Sequence, residues 1–271
     1  MRRREFVGAA CGAGLAAAGG LAEAAGKKKQ ILELRIYQVE AGPKRERLDA
    51  FLKTAAIPAW NRMGIAKVGV FEDAPGKEAK LRDLLAAKPQ GESAEVAVLL
   101  AYPSLDDWAM ATARMLGDPV FQRAGKEWLE LPKKDPLYAR IETSVLLAFD
   151  QCPAVETPTK AEGRVFQLRI YESHSLPKAQ KKIHMFNEGG EIALFRKCGM
   201  NPVFFGQTLA GARMPSLTYM LGFDDEAAQK AAWGKFIAHP EWKKLSRMAI
   251  YKDTVSHITN IILKPTPYSQ V

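Results

Sequence analysis

The tetrapeptide Leu-Arg-Ile-Tyr occurs twice in this chain of 271 residues, at 34–37 and at 168–171. Both copies lie in segments, LELRIYQVE and FQLRIYES, that read as β-strands with a charge in the middle. The same kinds of segment then follow each copy in the same order. This duplication constrains the fold more than any other feature, because both halves of the chain must form the same structure.

The turn and helix signals that follow each tetrapeptide also match. Pro43 and Pro177 stand where a helix can begin, and Gly64 and Gly199 stand where a glycine can end one. Pro58 falls inside the first of these helices and predicts a kink or break there. Two apolar strands, a second helix and a final strand come next. Each half therefore reads β-α-β-β-α-β, the ferredoxin-like order.

The second helix of each half is interrupted by a proline dipeptide, Asp118-Pro119 or His239-Pro240. An aspartate pair precedes each of these helices and can cap it. We assign the first domain to residues 31–150 and the second to residues 164–269. The linker between them, 151–163, is rich in proline, threonine and charged residues.

Side chains alternate along a strand, so the leucine and isoleucine of each tetrapeptide share one face, and the arginine and tyrosine share the other. Helices can cover only one face of a four-stranded sheet, so the other faces must be buried against each other. We therefore predict an α+β fold, in which two tandem ferredoxin-like units face each other as an intramolecular dimeric α+β barrel. We expect the aliphatic pairs under the helices. The polar side chains would then lie between the sheets or at their open rim: Arg35, Tyr37, Arg169 and Tyr171.

The two arginines need partners, because a buried arginine is costly unless it is paired and hydrogen-bonded. In a functional interpretation, the arginines and tyrosines line a cavity; arginine holds a carboxylate or enolate, and tyrosine transfers a proton. In a structural interpretation, the same groups form a polar network that closes the barrel. The acidic residues that could pair with the arginines are Glu33, Glu72, Glu95, Glu142 and Asp150.

Three of the four histidines are candidate site residues. His257 lies in the last predicted strand and could enter the interior. His184 and Glu188 are weaker candidates, four residues apart on one predicted helix face. His239 precedes a proline, where it is expected to cap the helix break. No third ligand accompanies the first pair and no axial haem ligand is evident, so neither a metal nor haem is expected, and any cofactor stays unknown.

The N-terminal segment, 1–26, has a basic start, a weakly apolar stretch rich in alanine and glycine, and small residues suited to cleavage. Arg3-Arg4-Glu5-Phe6 resembles the twin-arginine export signal. We therefore expect the chain to be exported to the periplasm. Cys152 and Cys198 would remain in the mature chain, either paired in that oxidising compartment or as two separate thiols.

The predicted destination of the mature chain is thus the periplasm, reached by the twin-arginine route.

The chain carries a formal net charge of +9, but its basic residues are scattered and no nucleic-acid-binding motif accompanies them. We therefore predict no nucleic-acid partner. No internal run reaches the roughly 18 apolar residues of a membrane span, so none is expected in the mature chain.

Several motifs together resemble the NIPSNAP family. They are the two LRIY tetrapeptides, the helix ends IPAWNRMGI and ALFRKCGM, the helix DDEAAQKAAW followed by HPEW, and the closing ILKPTPYS. The resemblance covers nearly all of residues 31–269 and is closer in the second half. It implies a dimeric α+β barrel, an architecture similar to that of small monooxygenases, dehydratases and haem-dependent relatives. It implies no particular reaction.

Three functional hypotheses follow. In the first, the barrel cavity of an exported protein binds or transforms a small anionic or phenolic molecule, as a cofactor-independent oxygenase or isomerase would. In the second, the protein is not a catalyst, and the barrel recruits a partner or a second copy of the chain. The third is a haem or metal protein, and it has the least support because the ligands are missing.

Overall fold

The computed structural model describes residues 28–86 and 92–271. The predicted export signal lies outside the described residues. The first half consists of β1 (Ile31–Glu40), α1 (Pro43–Phe51), α2 (Ile57–Arg62), β2 (Gly69–Asp73), β3 (Ser93–Tyr102), α3 (Leu105–Gly117), α4 (Pro119–Leu129) and β4 (Arg140–Ala148). The second half consists of β5 (Val165–Glu172), α5 (Leu176–Phe186), α6 (Glu191–Lys197), β6 (Asn201–Ala210), β7 (Ser216–Phe223), α7 (Glu226–Ala238), α8 (Pro240–Leu245) and β8 (His257–Pro265).

The eight strands form one closed antiparallel barrel in the order β1-β3-β2-β8-β5-β7-β6-β4. Within each half the order is the ferredoxin-like one, with the first and third strands at the centre of the half-sheet. The halves join where β2 pairs with β8 and where β4 pairs with β6. Closure leaves no unpaired sheet edge in the barrel, and it confirms the predicted fold.

The aliphatic side chains of the tetrapeptides point into the barrel, and not towards the helices as predicted. Leu34 and Ile36 pack there with Leu168 and Ile170 in one apolar cluster. An eight-stranded barrel has an interior just wide enough for side chains to fill, so it offers a charged group neither water nor a partner. The arginines and tyrosines therefore lie on the outer face, beneath the helices.

The helix boundaries follow the local sequence signals. Before Pro58 the first helix widens into a π-helical turn over residues 52–56, and α2 begins at Ile57. Gly64 and Gly199 end their helices with φ angles of 88° and 81°, in the left-handed region that glycine adopts without steric cost. The predicted breaks at Pro119 and Pro240 are also present, since each proline opens a new helix.

The helix caps differ between the halves. The side chain of Asp225 accepts a hydrogen bond from the Ala228 N–H and caps α7, as predicted. In the first half the cap is Ser104, whose hydroxyl accepts from the Asp107 N–H. The aspartate pair there lies in the first turn of α3, where it favours the helix through its dipole.

The two cysteines of the described chain, Cys152 and Cys198, are free and buried. Burial raises the pKa of the Cys152 thiol to about 12, with Glu156 contributing. None of the helices between residues 28 and 271 that the structure describes is long and apolar enough to cross a membrane.

Candidate functional site

A cavity of about 360 Å³ lies between the first half-sheet and the helices that cover it. Its polar end is formed by Glu33, Arg35 and Tyr37 of β1, and by Thr143 of β4. Thr112 and Leu116 of α3 line it as well, and both are exposed, so the cavity opens to solvent beside α3. The other lining side chains are Phe51, Trp60, Met115, Phe121, Leu129, Tyr138 and Ile141.

Glu33 is the centre of the polar end and is only 2% exposed. Its Oε1 accepts hydrogen bonds from Arg35 Nε at 2.9 Å and from the Thr143 hydroxyl at 2.8 Å. Arg35 Nη2 also lies 2.8 Å from Oε1. Glu33 Oε2 accepts a hydrogen bond from the Tyr102 hydroxyl at 2.9 Å. Burial, together with Glu33, raises the pKa of Tyr102. The carboxylate is therefore well satisfied, and it neutralises the Arg35 charge.

Arg35 connects this network to the cavity. Its Nη1 donates to the Tyr37 hydroxyl at 3.4 Å, and its guanidinium lies 5.6 Å from the centre of the Trp60 ring. Burial alone would lower the pKa of Arg35, but Tyr37 and Glu33 outweigh it and the pKa is raised. The arginine thus remains charged beside the Tyr37 phenol, and both line the open space.

Of the five acidic residues predicted as partners, Glu33 is the one that pairs with a tetrapeptide arginine. The others bind elsewhere: Glu72 pairs with Arg45, Glu142 accepts from the Ala86 N–H, and Glu95 and Asp150 contact Arg82 and Lys29. The choice follows from alternation, because Glu33 precedes Arg35 by two residues and shares its face.

Among the described residues, no acid pairs with Arg169, the equivalent arginine of the second half. Gln167 replaces Glu33, and it accepts a hydrogen bond from Trp233 Nε1 and donates one to Asn260, each at 2.6 Å. Arg169 Nε is buried and has no hydrogen-bond partner in the part of the chain that the structure describes. The guanidinium is instead placed 4.7 Å from the Trp233 ring centre and 5.2 Å from that of Tyr171.

A buried ion pair, which the sequence reasoning missed, lies beside this arginine. Lys182 Nζ is 2.7 Å from Glu191 Oε2, and the side chains are 6% and 2% exposed. Burial raises the pKa of Glu191, and Lys182 offsets this only in part. Lys182 precedes Phe186 by four residues in α5, but nothing in the sequence pairs it with a glutamate nine residues later.

The tyrosines of the second half also differ from Tyr37. Tyr171 and Tyr219 join their hydroxyls at 3.1 Å in a buried pair, packed against Phe186. Burial raises the pKa of both phenols. The four predicted polar residues therefore form two separate sites, one in each half, and not one cavity between the sheets.

His257, predicted to reach the interior, is exposed instead, at the start of β8. It lines a surface depression with Glu78, Asp83 and Arg213. Residues 257 and 258 lie at the edge of the barrel, before the strand enters its apolar part, so the polar side chain remains in contact with water. His257 thus has no part in either arginine site.

His184 and Glu188 do not share a helix face, because α5 ends at Phe186 and Glu188 lies in the turn that follows. Both line an open groove, where His184 Nδ1 is hydrogen-bonded to the Tyr251 hydroxyl at 2.9 Å. His239 caps α8 through its Nδ1, which accepts from the Glu241 N–H at 3.2 Å, as predicted. Among the described residues no group of three or more His, Cys, Asp or Glu could hold a metal ion.

Residues 166–270 match the NIPSNAP family. This match spans the second half of the chain, from β5 to β8. A NIPSNAP-like domain protein from Burkholderia xenovorans is 21% identical and covers 40% of this chain and 89% of its own, with a TM-score of 0.36. No curated protein matches the chain.

Two solved structures resemble both halves together. A proposed monooxygenase from Fusobacterium nucleatum is 7% identical, covers 88% of this chain and 93% of its own, and has a TM-score of 0.53. Another from Lactobacillus acidophilus is 9% identical, covers 88% and 94%, and has a TM-score of 0.51. At such low identity the similarity shows a shared α+β barrel fold and nothing finer.

Proposed function

We propose that the first half binds a small molecule, phenolic or anionic, in the cavity beneath its helices. The observation that carries the proposal is the 360 Å³ cavity, which has the size and the mainly apolar lining of a ligand site. Its few polar groups converge at one end, on Arg35 and Tyr37. Thr112 and Leu116 line the cavity and are exposed, so a ligand can enter it from solvent beside α3.

The chemistry that these side chains can supply is proton transfer. The Tyr37 hydroxyl can donate or accept a proton, and Arg35 can stabilise negative charge on a ligand oxygen through hydrogen bonds. An isomerase would return the proton to a different atom of the substrate. In a cofactor-independent oxygenase, the deprotonated substrate would itself supply the electrons to O₂, and the proposed monooxygenase role of two proteins with this fold supports that version.

Native mass spectrometry of the full chain, purified from its own source, tests the proposal. The wild type is expected to carry a bound small molecule, and Thr112→Trp is expected to lose it because the larger side chain fills the cavity. Ala113→Trp is the matched control, since Ala113 is also exposed on α3 but does not line the cavity. A ligand retained by Thr112→Trp, or absent from the wild type, would contradict the proposal.

We also propose that the chain is exported by the twin-arginine route, as its N-terminal residues predict. Arg3 and Arg4 are the residues that the export receptor would read. Fractionation of cells expressing the wild type and a double lysine variant of these residues tests this. Equal amounts in the periplasm for both chains would count against it.

A further inference from the structure

Trp233 of the second half lies where the first half has its cavity. Trp233 precedes His239, the C-cap residue of α7, by six residues, and Thr112 precedes Asp118, the C-cap residue of α3, by six. The two helix ends match, because the N–H of each C-cap residue donates a hydrogen bond to the carbonyl three residues earlier, at 3.1 Å in both halves. Thr112 lines the cavity, so Trp233 extends from the corresponding position into the corresponding space.

The contacts of Trp233 confirm this equivalence one by one. Its ring lies 4.7 Å from Arg169 and 6.0 Å from the centre of the Phe195 ring, and its N–H donates to Gln167. The first-half counterparts of these residues are Arg35, Trp60 and Glu33, and all three line the cavity. Phe195 corresponds to Trp60 because each precedes its capping glycine by four residues.

The indole of Trp233 is therefore an internal occupant of the second site, and it reports the shape and polarity that the first site accepts. It is flat, it stacks on the guanidinium, and it directs one N–H towards residue 167. In the first half, Glu33 Oε2 accepts only the Tyr102 hydroxyl among the described residues. A carboxylate oxygen has two lone pairs, so Oε2 retains the capacity to accept one more donor.

The charges at the polar end of the cavity favour a neutral ligand over an anionic one. Arg35 is already paired with Glu33, so the polar end has no net charge to attract an anion. An anionic group placed where the Trp233 N–H lies in the second half would adjoin the Glu33 carboxylate, and the two charges would repel each other. A neutral N–H or O–H group meets no such repulsion and finds a charged acceptor.

We infer that the ligand of the first cavity is a neutral, planar aromatic molecule of about indole size. Its ring lies over the Arg35 guanidinium and its N–H or O–H group donates to Glu33. This inference rests on the proposed function and selects the neutral form of the phenolic class over the anionic class.

Isothermal titration of the full chain with three bicyclic probes tests the inference. Indole has the donor, 1-methylindole lacks it, and 2-naphthoate carries a negative charge. A hydrogen bond to a charged acceptor is worth roughly 1.5–3 kcal/mol, so indole is expected to bind about tenfold or more tightly than 1-methylindole. Indole is also expected to bind more tightly than 2-naphthoate. Thr112→Trp is expected to abolish indole binding, and Ala113→Trp to leave it unchanged.

The outcomes distinguish this inference from the proposed function. Tighter binding of 2-naphthoate, blocked by Thr112→Trp, would overturn the inference and leave the proposed cavity function in place. Equal binding of indole and 1-methylindole would overturn the donor role of the ligand. If no probe binds and the natural chain carries no small molecule either, both fail.

Discussion

The two halves of the barrel hold the same arginine in opposite ways. Arg35 is paired with Glu33 and borders an open cavity. Arg169 forms no ion pair with any residue that the structure describes, and the rings of Trp233 and Tyr171 cover it. The strand, the register and the tetrapeptide are common to both halves, so the difference arises from the residues around the arginine.

This difference shows which half is built for packing. Aromatic rings fill the outer layer of the second half, and neighbouring pairs such as Phe195 with Phe236 and Phe205 with Tyr219 have ring centres 4.7 and 4.8 Å apart. Each such pair contributes about 0.5–1.5 kcal/mol beyond its buried area. The first half forgoes part of this stabilisation at its cavity. Space maintained at a cost to stability is more readily explained by a ligand than by folding.

The largest effect that can test the comparison is on the buried pair of the second half. Lys182→Met removes the charge that compensates Glu191, which is 2% exposed. Breaking a buried pair on one side typically costs about 3–5 kcal/mol, and we expect a loss of that size in the free energy of unfolding. Urea denaturation at neutral pH measures it.

Arg47→Met is the matched control in the first half. Arg47 precedes Phe51 by four residues, as Lys182 precedes Phe186. It pairs with Asp135 at 3.0 Å, but the two side chains are 32% and 44% exposed, so the loss is expected to stay below about 1 kcal/mol. Replacing Lys182 and Glu191 together by methionine is expected to restore most of the stability. Similar losses for the two single variants would show that the halves do not differ in this respect.

Exchanging the residues before the arginines gives the next largest effect. Glu33→Gln makes the first half resemble the second and leaves Arg35 without its acid, so we expect a loss of about 2–4 kcal/mol. Gln167→Glu gives Arg169 a carboxylate but removes the hydrogen bond that Gln167 donates to Asn260. These effects oppose each other, and the net change is expected to stay within about 1 kcal/mol.

Urea denaturation of the two single variants and of the double variant measures this exchange. The halves lie apart in the barrel, so the two changes are expected to add. If Gln167→Glu lowered the free energy of unfolding as much as Glu33→Gln does, a carboxylate at position 167 would not stabilise Arg169. Retained stability in Glu33→Gln would remove Glu33 as the partner on which Arg35 depends.

The duplicated signals were enough to predict the barrel. Two copies of one strand–helix order, with prolines and glycines at matching places, fix the ferredoxin-like units, and Pro58, Gly64 and Gly199 mark helix boundaries that the structure contains. The face of the tetrapeptide could not be predicted in the same way. Alternation gives two faces but does not say which one a barrel turns inward, and we assumed that charge would face the cavity between sheets.

Some residues of the site could be predicted from the sequence, but their arrangement could not. Glu33 could be found as the partner of Arg35 because the pair is local in sequence. The cavity depends on Thr112 being small where Trp233 is large, which becomes meaningful only after the helices of the two halves are superposed. The Lys182–Glu191 pair also depends on how two helices meet, and strand or helix periodicity carries no information on that.

The smallest effect concerns pH, and it again separates the halves through Glu191. Burial raises the pKa of this carboxyl above its ordinary value of 4.5, so between the unfolded and folded values the folded state binds more protons. Stability then falls as pH rises through that window, because its slope follows the protons bound by the unfolded state minus those bound by the folded state. Glu191→Gln cannot titrate. In thermal unfolding from pH 4 to pH 7, the wild type is therefore expected to lose stability relative to this variant as pH rises. Parallel curves of stability against pH for the two chains would contradict the raised pKa of Glu191. In Lys182→Met the decline is expected to be steeper, because the charge that favours the ionised carboxylate is gone.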